Sequence, residues 1–112
     1  MDHLALAVGD QERSRRFYAT YLGFDAPPRD YPDGVLMLYN SEGFALALGP
    51  SEGPVRMPRF FHFGISLQDV RRFRDRARAD GVQIAEEWDE PDYVGVKCLD
   101  PDGYVVEVSW EP

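Results

Sequence analysis

Three side chains in this sequence combine the right types and placement to hold a metal ion: His3, His62 and Glu107. They include the only two histidines of the chain. Two imidazoles and one carboxylate suit a divalent transition metal. Three protein ligands leave coordination positions for water, substrate or dioxygen, which marks a catalytic site rather than a closed structural one. Singly, each residue has a plainer reading. A strand histidine is commonly a hydrogen-bonded core residue, and Glu107 could be a surface carboxylate on an edge strand. Their joint placement favours the ion.

That placement comes from alternation along strands. The run Tyr104 to Trp110 follows the turn Asp100-Pro101-Asp102-Gly103 and puts Tyr104, Val106, Val108 and Trp110 on one face. Val105, Glu107 and Ser109 take the other, where a carboxylate is costly to bury without a partner. The opening strand, from Asp2 to Val8, sets His3, Ala5 and Ala7 against Leu4, Leu6 and Val8. A strand from Phe60 to Leu67 sets Phe60, His62, Gly64 and Ser66 against Phe61, Phe63, Ile65 and Leu67. In each case the candidate ligand shares its face with small residues, and the bulky face must pack elsewhere. The small faces leave room for a pocket.

The remaining elements follow from local signals. Asp10 is an N-cap for a helix running to about Leu22, with Gly23 as its left-handed stop and Phe24 beyond it. Asp25 to Gly34 reads as a loop with one short edge strand. Val35 to Tyr39 and Phe44 to Leu48 form a hairpin across Asn40-Ser41-Glu42-Gly43. Gly49 to Arg59, rich in Pro and Gly, reads as a linker. Asp69 caps a second helix whose inner side carries Val70, Phe73 and Ala77, and Asp80-Gly81 ends it. Strands over Val82 to Trp88, Tyr93 to Leu99 and Tyr104 to Trp110 are separated by the turns 89–92 and 100–103.

The two halves repeat. His3 precedes Asp10 by seven residues, as His62 precedes Asp69; Gly43 precedes Ala47 by four, as Gly103 precedes Glu107. The expected fold is α+β: two βαβββ modules, 1–49 and 60–112, joined by a linker over 50–59 in a single domain 1–112. Two such modules give an eight-stranded mixed sheet with both helices on one side.

Composition limits the partners. A chain of 112 residues can build one real core. A net charge of −8 argues against nucleic acid, which needs a basic surface. The arginines from Arg71 to Arg78 are balanced locally by Asp69, Asp75 and Asp80 and read as a solvated helix face. No apolar run reaches membrane-spanning length, and no signal segment opens the chain. The single cysteine, Cys98, suits a reducing cytoplasm and reads as a small core residue.

The motifs His3-Leu4-Ala5-Leu6-Ala7-Val8, Phe17-Tyr18, Leu22-Gly23-Phe24, His62-Phe63-Gly64-Ile65 and Asp100-Pro101-Asp102-Gly103 with Glu107 stand in order along essentially the whole chain. In this the sequence resembles the vicinal oxygen chelate superfamily, also called the glyoxalase/bleomycin-resistance/dioxygenase superfamily. The resemblance implies curled sheets that form a cleft, and a homodimer whose clefts are often built from both chains. It implies a divalent ion (Fe, Mn, Ni or Zn) on His3, His62 and Glu107, and a small substrate that chelates it through oxygen.

The family's fourth metal position falls on Ala47, which cannot coordinate. Glyoxalase I-type isomerases carry a carboxylate there, as ligand and base, so Ala47 argues against that reaction. Extradiol dioxygenases share a two-His, one-Glu set but generally use a further histidine; here Tyr39 or Tyr93 would have to serve. Fosfomycin-type thiol transferases surround a phosphonate with cations, and Lys97 is the only lysine here. The resemblance therefore leaves lyase, isomerase and oxygenase chemistry open. It also leaves open a metal-free binder of aromatic drugs, with Tyr39, Phe60, Trp88, Tyr93 and Trp110 as candidate pocket walls.

Overall fold

The structure is a computed structural model that describes residues 3–53, 55, 62–66 and 69–110, the side chains of His62 and Ser66 excepted. Expectations for Asp2, Phe60, Phe61 and Leu67, and for the linker over 56–59, fall outside the described residues. The chain forms two compact units, Met1–Arg56 and Met57–Pro112.

The first unit runs β1 (His3–Val8), α1 (Gln11–Leu22), β2 (Arg29–Asp30), β3 (Leu36–Tyr39) and β4 (Ala45–Pro50). Its sheet has the order β1-β4-β3-β2. β1 and β4 are parallel, whereas β2–β3 and β3–β4 are antiparallel. The second unit repeats this as β5 (His62–Ser66), α2 (Val70–Ala79), β6 (Ile84–Glu90), β7 (Tyr93–Leu99) and β8 (Val105–Trp110). The order is β5-β8-β7-β6, again with a parallel pair, β5–β8, beside antiparallel ones. The α+β class and the two βαβββ modules are therefore present. The eight strands divide into two four-stranded mixed sheets rather than one eight-stranded sheet among the described residues, because each parallel pair and hairpin closes within its own module.

Each module starts its helix the same way. The Asp10 carboxylate accepts from the Arg13 N–H at 3.0 Å, and the Asp69 carboxylate accepts from the Arg72 N–H at 3.0 Å. These satisfy donors that the first helical turn leaves without partners. Gly23 ends α1 at φ 79°, a left-handed conformation that costs glycine nothing. In the first unit Leu6, Val8, Leu38, Leu46 and Leu48 are buried with Phe17, Tyr18 and Leu22 of the helix. In the second, Ile65, Val96, Cys98, Val106 and Val108 are buried with Val70, Phe73 and Ala77. Each large aliphatic side chain removed from water in this way stabilises the fold by about 1.5–3 kcal/mol. Cys98 is a core residue as expected, and burial pushes its thiol up to about 12, with the charge of Asp100 adding to the effect.

Three local expectations need correction. β4 runs on through Gly49 to Pro50, because its parallel register with β1 continues to the Val8–Pro50 pair. The linker therefore begins later than residue 50. β6 covers Ile84–Glu90, so Asp89 and Glu90 are strand residues and the turn is only Pro91-Asp92. The reason is the β6–β7 register, which continues through Asp89–Val94 to Glu90–Tyr93. The acidic end of β6 also meets α2: Arg71 binds the Asp89 carboxylate at 2.7 Å and Arg74 binds it at 3.2 Å. The α2 arginines are accordingly not balanced from their own helix alone: Arg74 also pairs with Asp75 at 3.0 Å, while Arg78 pairs with Glu87 of β6.

Candidate functional site

The open face of each sheet lies opposite its helix. In the first unit that face carries His3, Ala5 and Ala7 from β1, with Ala45 and Ala47 beside them on β4. His3, Ala5 and Ala7 are exposed. In the second unit Gly64 of β5 pairs with Glu107 of β8, and His62 pairs with Val105. Paired residues on neighbouring strands share a face. The strand position of His62 and the half-buried Glu107 carboxylate therefore belong to one face, one pairing row apart.

The two modules share one register. His3 pairs with Ala45 as His62 pairs with Val105, and Ala5 pairs with Ala47 as Gly64 pairs with Glu107. Ala47 is thus the structural counterpart of Glu107. The turns leading to these two residues also match. The Asn40 side-chain oxygen accepts from the N–H groups of Glu42 and Phe44 at 3.1 and 2.8 Å. The Asp100 carboxylate accepts from Asp102 and Tyr104, both at 2.9 Å. Gly43 and Gly103 close these turns at φ 81° and 94°.

Within each unit the structure brings some candidates together. His62 and Glu107 are neighbours by register, and Tyr93 shares their face further along β7. His3 shares its face with Tyr39 of β3, separated by Ala45. Among the described residues no three His, Cys, Asp or Glu side chains converge as a ready cation cluster, and the His62 side chain lies outside those residues. The donor set still fits a divalent ion: an imidazole position and a carboxylate lie on adjacent rows of one face, with Gly64 between them. Lys97, the direct cross-strand neighbour of Glu107, turns its ammonium elsewhere. It lies 3.9 Å from Glu86 and 5.5 Å from the centre of the Trp88 ring.

Two groupings join candidate pocket residues to partners that the sequence did not single out. On the second sheet the Trp88 and Tyr93 rings meet edge-on at 6.1 Å, and the Tyr93 ring lies over Gly95. A Cβ at Gly95 would come within 2.7 Å of that ring, so the glycine makes the floor on which it rests. On the first sheet the Arg29 guanidinium lies 5.1 Å from the centre of the Tyr31 ring. The Tyr39 hydroxyl is hydrogen-bonded to Tyr31, which raises its pKa above the ordinary tyrosine value, while Arg29 acts in the opposite direction. Neither grouping carries a complete local sequence signal, because each draws a member from a second strand: Tyr39 of β3 joins Arg29 and Tyr31, and Trp88 of β6 joins Tyr93 and Gly95 of β7. Of the other proposed pocket walls, Trp110 is exposed, and Phe60 lies outside the described residues.

Comparisons with known proteins agree with this architecture. The chain is 28% identical over 120 residues to a probable lactoylglutathione lyase from Synechocystis, covering 95% of this chain and 91% of that protein. A variant of the fosfomycin resistance protein FosX from Listeria monocytogenes, complexed with Mn(II) and 1S,2S-dihydroxypropylphosphonic acid, has the same fold. It is 17% identical, over 96% of this chain and 86% of that one, with a TM-score of 0.77. So has TnmS3, an antibiotic binding protein from a Streptomyces species, 23% identical over 99% of this chain and 94% of that one, TM-score 0.77. A model of one family matches residues 1–108, spanning both modules with their shared register and turns: the chain belongs to the Glyoxalase/Bleomycin resistance protein/Dioxygenase superfamily.

Proposed function

We propose that this protein is a metal-dependent enzyme of that superfamily acting on a small substrate that chelates the ion through oxygen. The observation that carries the reading is the register. The only two histidines occupy equivalent first-strand positions of the two modules, and Glu107 stands one row from the His62 position on the same face of the second sheet. His3, His62 and Glu107 would hold the ion, with Fe, Mn, Ni and Zn as candidates. When bound, it would supply Lewis acidity to a substrate oxygen. The relative that binds Mn(II) supports such a site within this fold.

The chain's own residues set limits on the reaction. Glu107 supplies negative charge and a fixed oxygen ligand. Its counterpart Ala47 supplies neither ligand nor base, so proton abstraction from that side has no carboxylate to perform it. Acid–base work falls to Tyr39 or Tyr93 on the same open faces. Tyr39, held protonated by its hydrogen bond to Tyr31, suits a proton donor better than a base. The reading takes both modules as one domain, working in the cytoplasm. It includes a homodimer in which His3 of one chain joins His62 and Glu107 of the other.

A second reading, a metal-free binder of an aromatic small molecule, draws on the Trp88–Tyr93 pair and on the antibiotic-binding relative. Metal content separates the two. The untagged protein, analysed by plasma mass spectrometry, is expected to carry near-stoichiometric metal. His62→Ala is expected to lose it and keep its far-UV circular dichroism. Wild-type metal content in that variant would overturn the metal site. No metal in either protein after reconstitution would move the assignment to the binder.

A further inference from the structure

We propose that Arg29, with the hydroxyls of Tyr31 and Tyr39, forms an oxyanion-binding subsite on the open face of the first sheet. The ligand of this protein would then carry a carboxylate, phosphate or phosphonate group. The proposal rests on the reading that these open faces take a small molecule, and it adds the chemical class of that molecule. It does not depend on the metal.

Three observations support it. The first is placement. Arg29 pairs with Met37, and Tyr39 pairs with Ala45, so β2 and β3 present Arg29 and Tyr39 on the face that carries His3 on β1. The opposite face is closed by Leu36, Leu38, Leu46 and Leu48 in the core. On the intervening strand β4 the same face carries only the small side chains of Ala45 and Ala47, which are buried, while Arg29 is exposed and Tyr31 and Tyr39 are half-buried.

The second is the state of the guanidinium. Arg15, Arg71, Arg74 and Arg78 each lie against a carboxylate. Arg29, in a chain of net charge −8, has none within ion-pair distance among the described residues. It rests instead on the Tyr31 ring at 5.1 Å, a contact that orients the planar fork without neutralising it. A guanidinium presents paired donors suited to the two oxygens of a carboxylate or phosphate.

The third is the phenol pair. The Tyr39 hydroxyl is hydrogen-bonded to Tyr31 and also meets Arg29. The bond to Tyr31 favours the protonated form of Tyr39, as expected when Tyr39 donates. Tyr31 then keeps its own hydroxyl proton to donate. The phenols add hydrogen-bond donors beside the cation.

The test is a titration of 15N-labelled protein with sodium phosphate and, separately, sodium benzoate, each with and without chelator; benzamide is the neutral control. Saturable shifts are expected at the Arg29 side-chain Nε–H and at residues 29–31 and 37–39. Arg29→Met should weaken binding by about tenfold or more, the scale of a lost charge-assisted hydrogen bond. Tyr39→Phe should weaken it less. The tighter probe tells a tetrahedral from a planar anion. Absence of saturation with both anions overturns the proposal. So does binding unchanged in Arg29→Met, or equal binding of benzamide. Persistence of anion binding in chelator, in a protein found to lack metal, would sink the metal triad and leave this subsite standing.

Discussion

Asp100 carries more of this fold than a turn residue usually does. It is 5% exposed, and its carboxylate accepts from the backbone N–H groups of Asp102 and Tyr104. Backbone bonds from Asp100 N–H to the Tyr104 carbonyl and from Gly103 N–H to the Asp100 carbonyl complete the turn at 2.9 and 3.0 Å. This turn sets where β8 begins, and so sets the face to which Glu107 belongs. Asp100→Ala removes the acceptor and leaves two donors without it in a buried place. A loss of about 2–3 kcal/mol in urea unfolding is expected. Asn40→Ala in the matching turn of the first module should cost less, because its acceptor is neutral. Equal losses from the two substitutions would contradict this account. Asn40 also shows what local pattern reading overlooks: the glycines of both turns stand out in the sequence, but the shared acceptor role of Asn40 and Asp100 appears only from their hydrogen bonds.

At the scale of elements, α2 and β6 hold each other by charge. Arg71 and Arg74 both bind Asp89, and Arg78 binds Glu87. The Arg71 and Asp89 side chains are 56% and 46% exposed, so water and salt screen the pair. Its effect should therefore appear as a small pH- and salt-dependent difference. The hydrogen bonds from Arg71, then those from Arg74, hold the Asp89 carboxyl below its ordinary range. A carboxylate with a depressed native pKa stabilises the fold above its unfolded value, and that gain is lost as pH falls through the native value. Asp89→Ala should accordingly melt below wild type near neutral pH and converge with it in acid and in molar salt. A gap that persists under both conditions would mean that Asp89 acts through packing instead. Asp89 and Glu90 are strand residues through their pairing with Val94 and Tyr93 of β7, a tertiary register that overrides their low strand propensity.

At the scale of the molecule, the repeat is the organising fact. Both modules use an Asp N-cap, a parallel first-to-last strand pair and an Asx-type turn, so one set of rules builds both. The proposed ligand set takes one histidine from each module. The homodimer proposed above should appear as twice the monomer mass in light scattering at micromolar concentration. If the two chains share the ion, mixing His3→Ala with His62→Ala protein should restore part of the metal binding that each lacks alone. Monomeric mass, or no restoration on mixing, counts against a shared site.

The strands, both helices and their caps, the two-module plan and the positions of His3, His62 and Glu107 follow from sequence alone, because each depends on alternation, capping residues or spacing within one short segment. The correspondence of Ala47 with Glu107 was also readable there, and the strand register agrees with it. Only the tertiary structure decided the rest: the division into two four-stranded sheets, the true ends of β4 and β6, the carboxylates that pair with the α2 arginines, and the Arg29–Tyr31–Tyr39 and Trp88–Tyr93–Gly95 groupings. These depend on contacts between strands or between helix and strand, and a register or an ion pair across elements leaves no periodic mark in the linear chain.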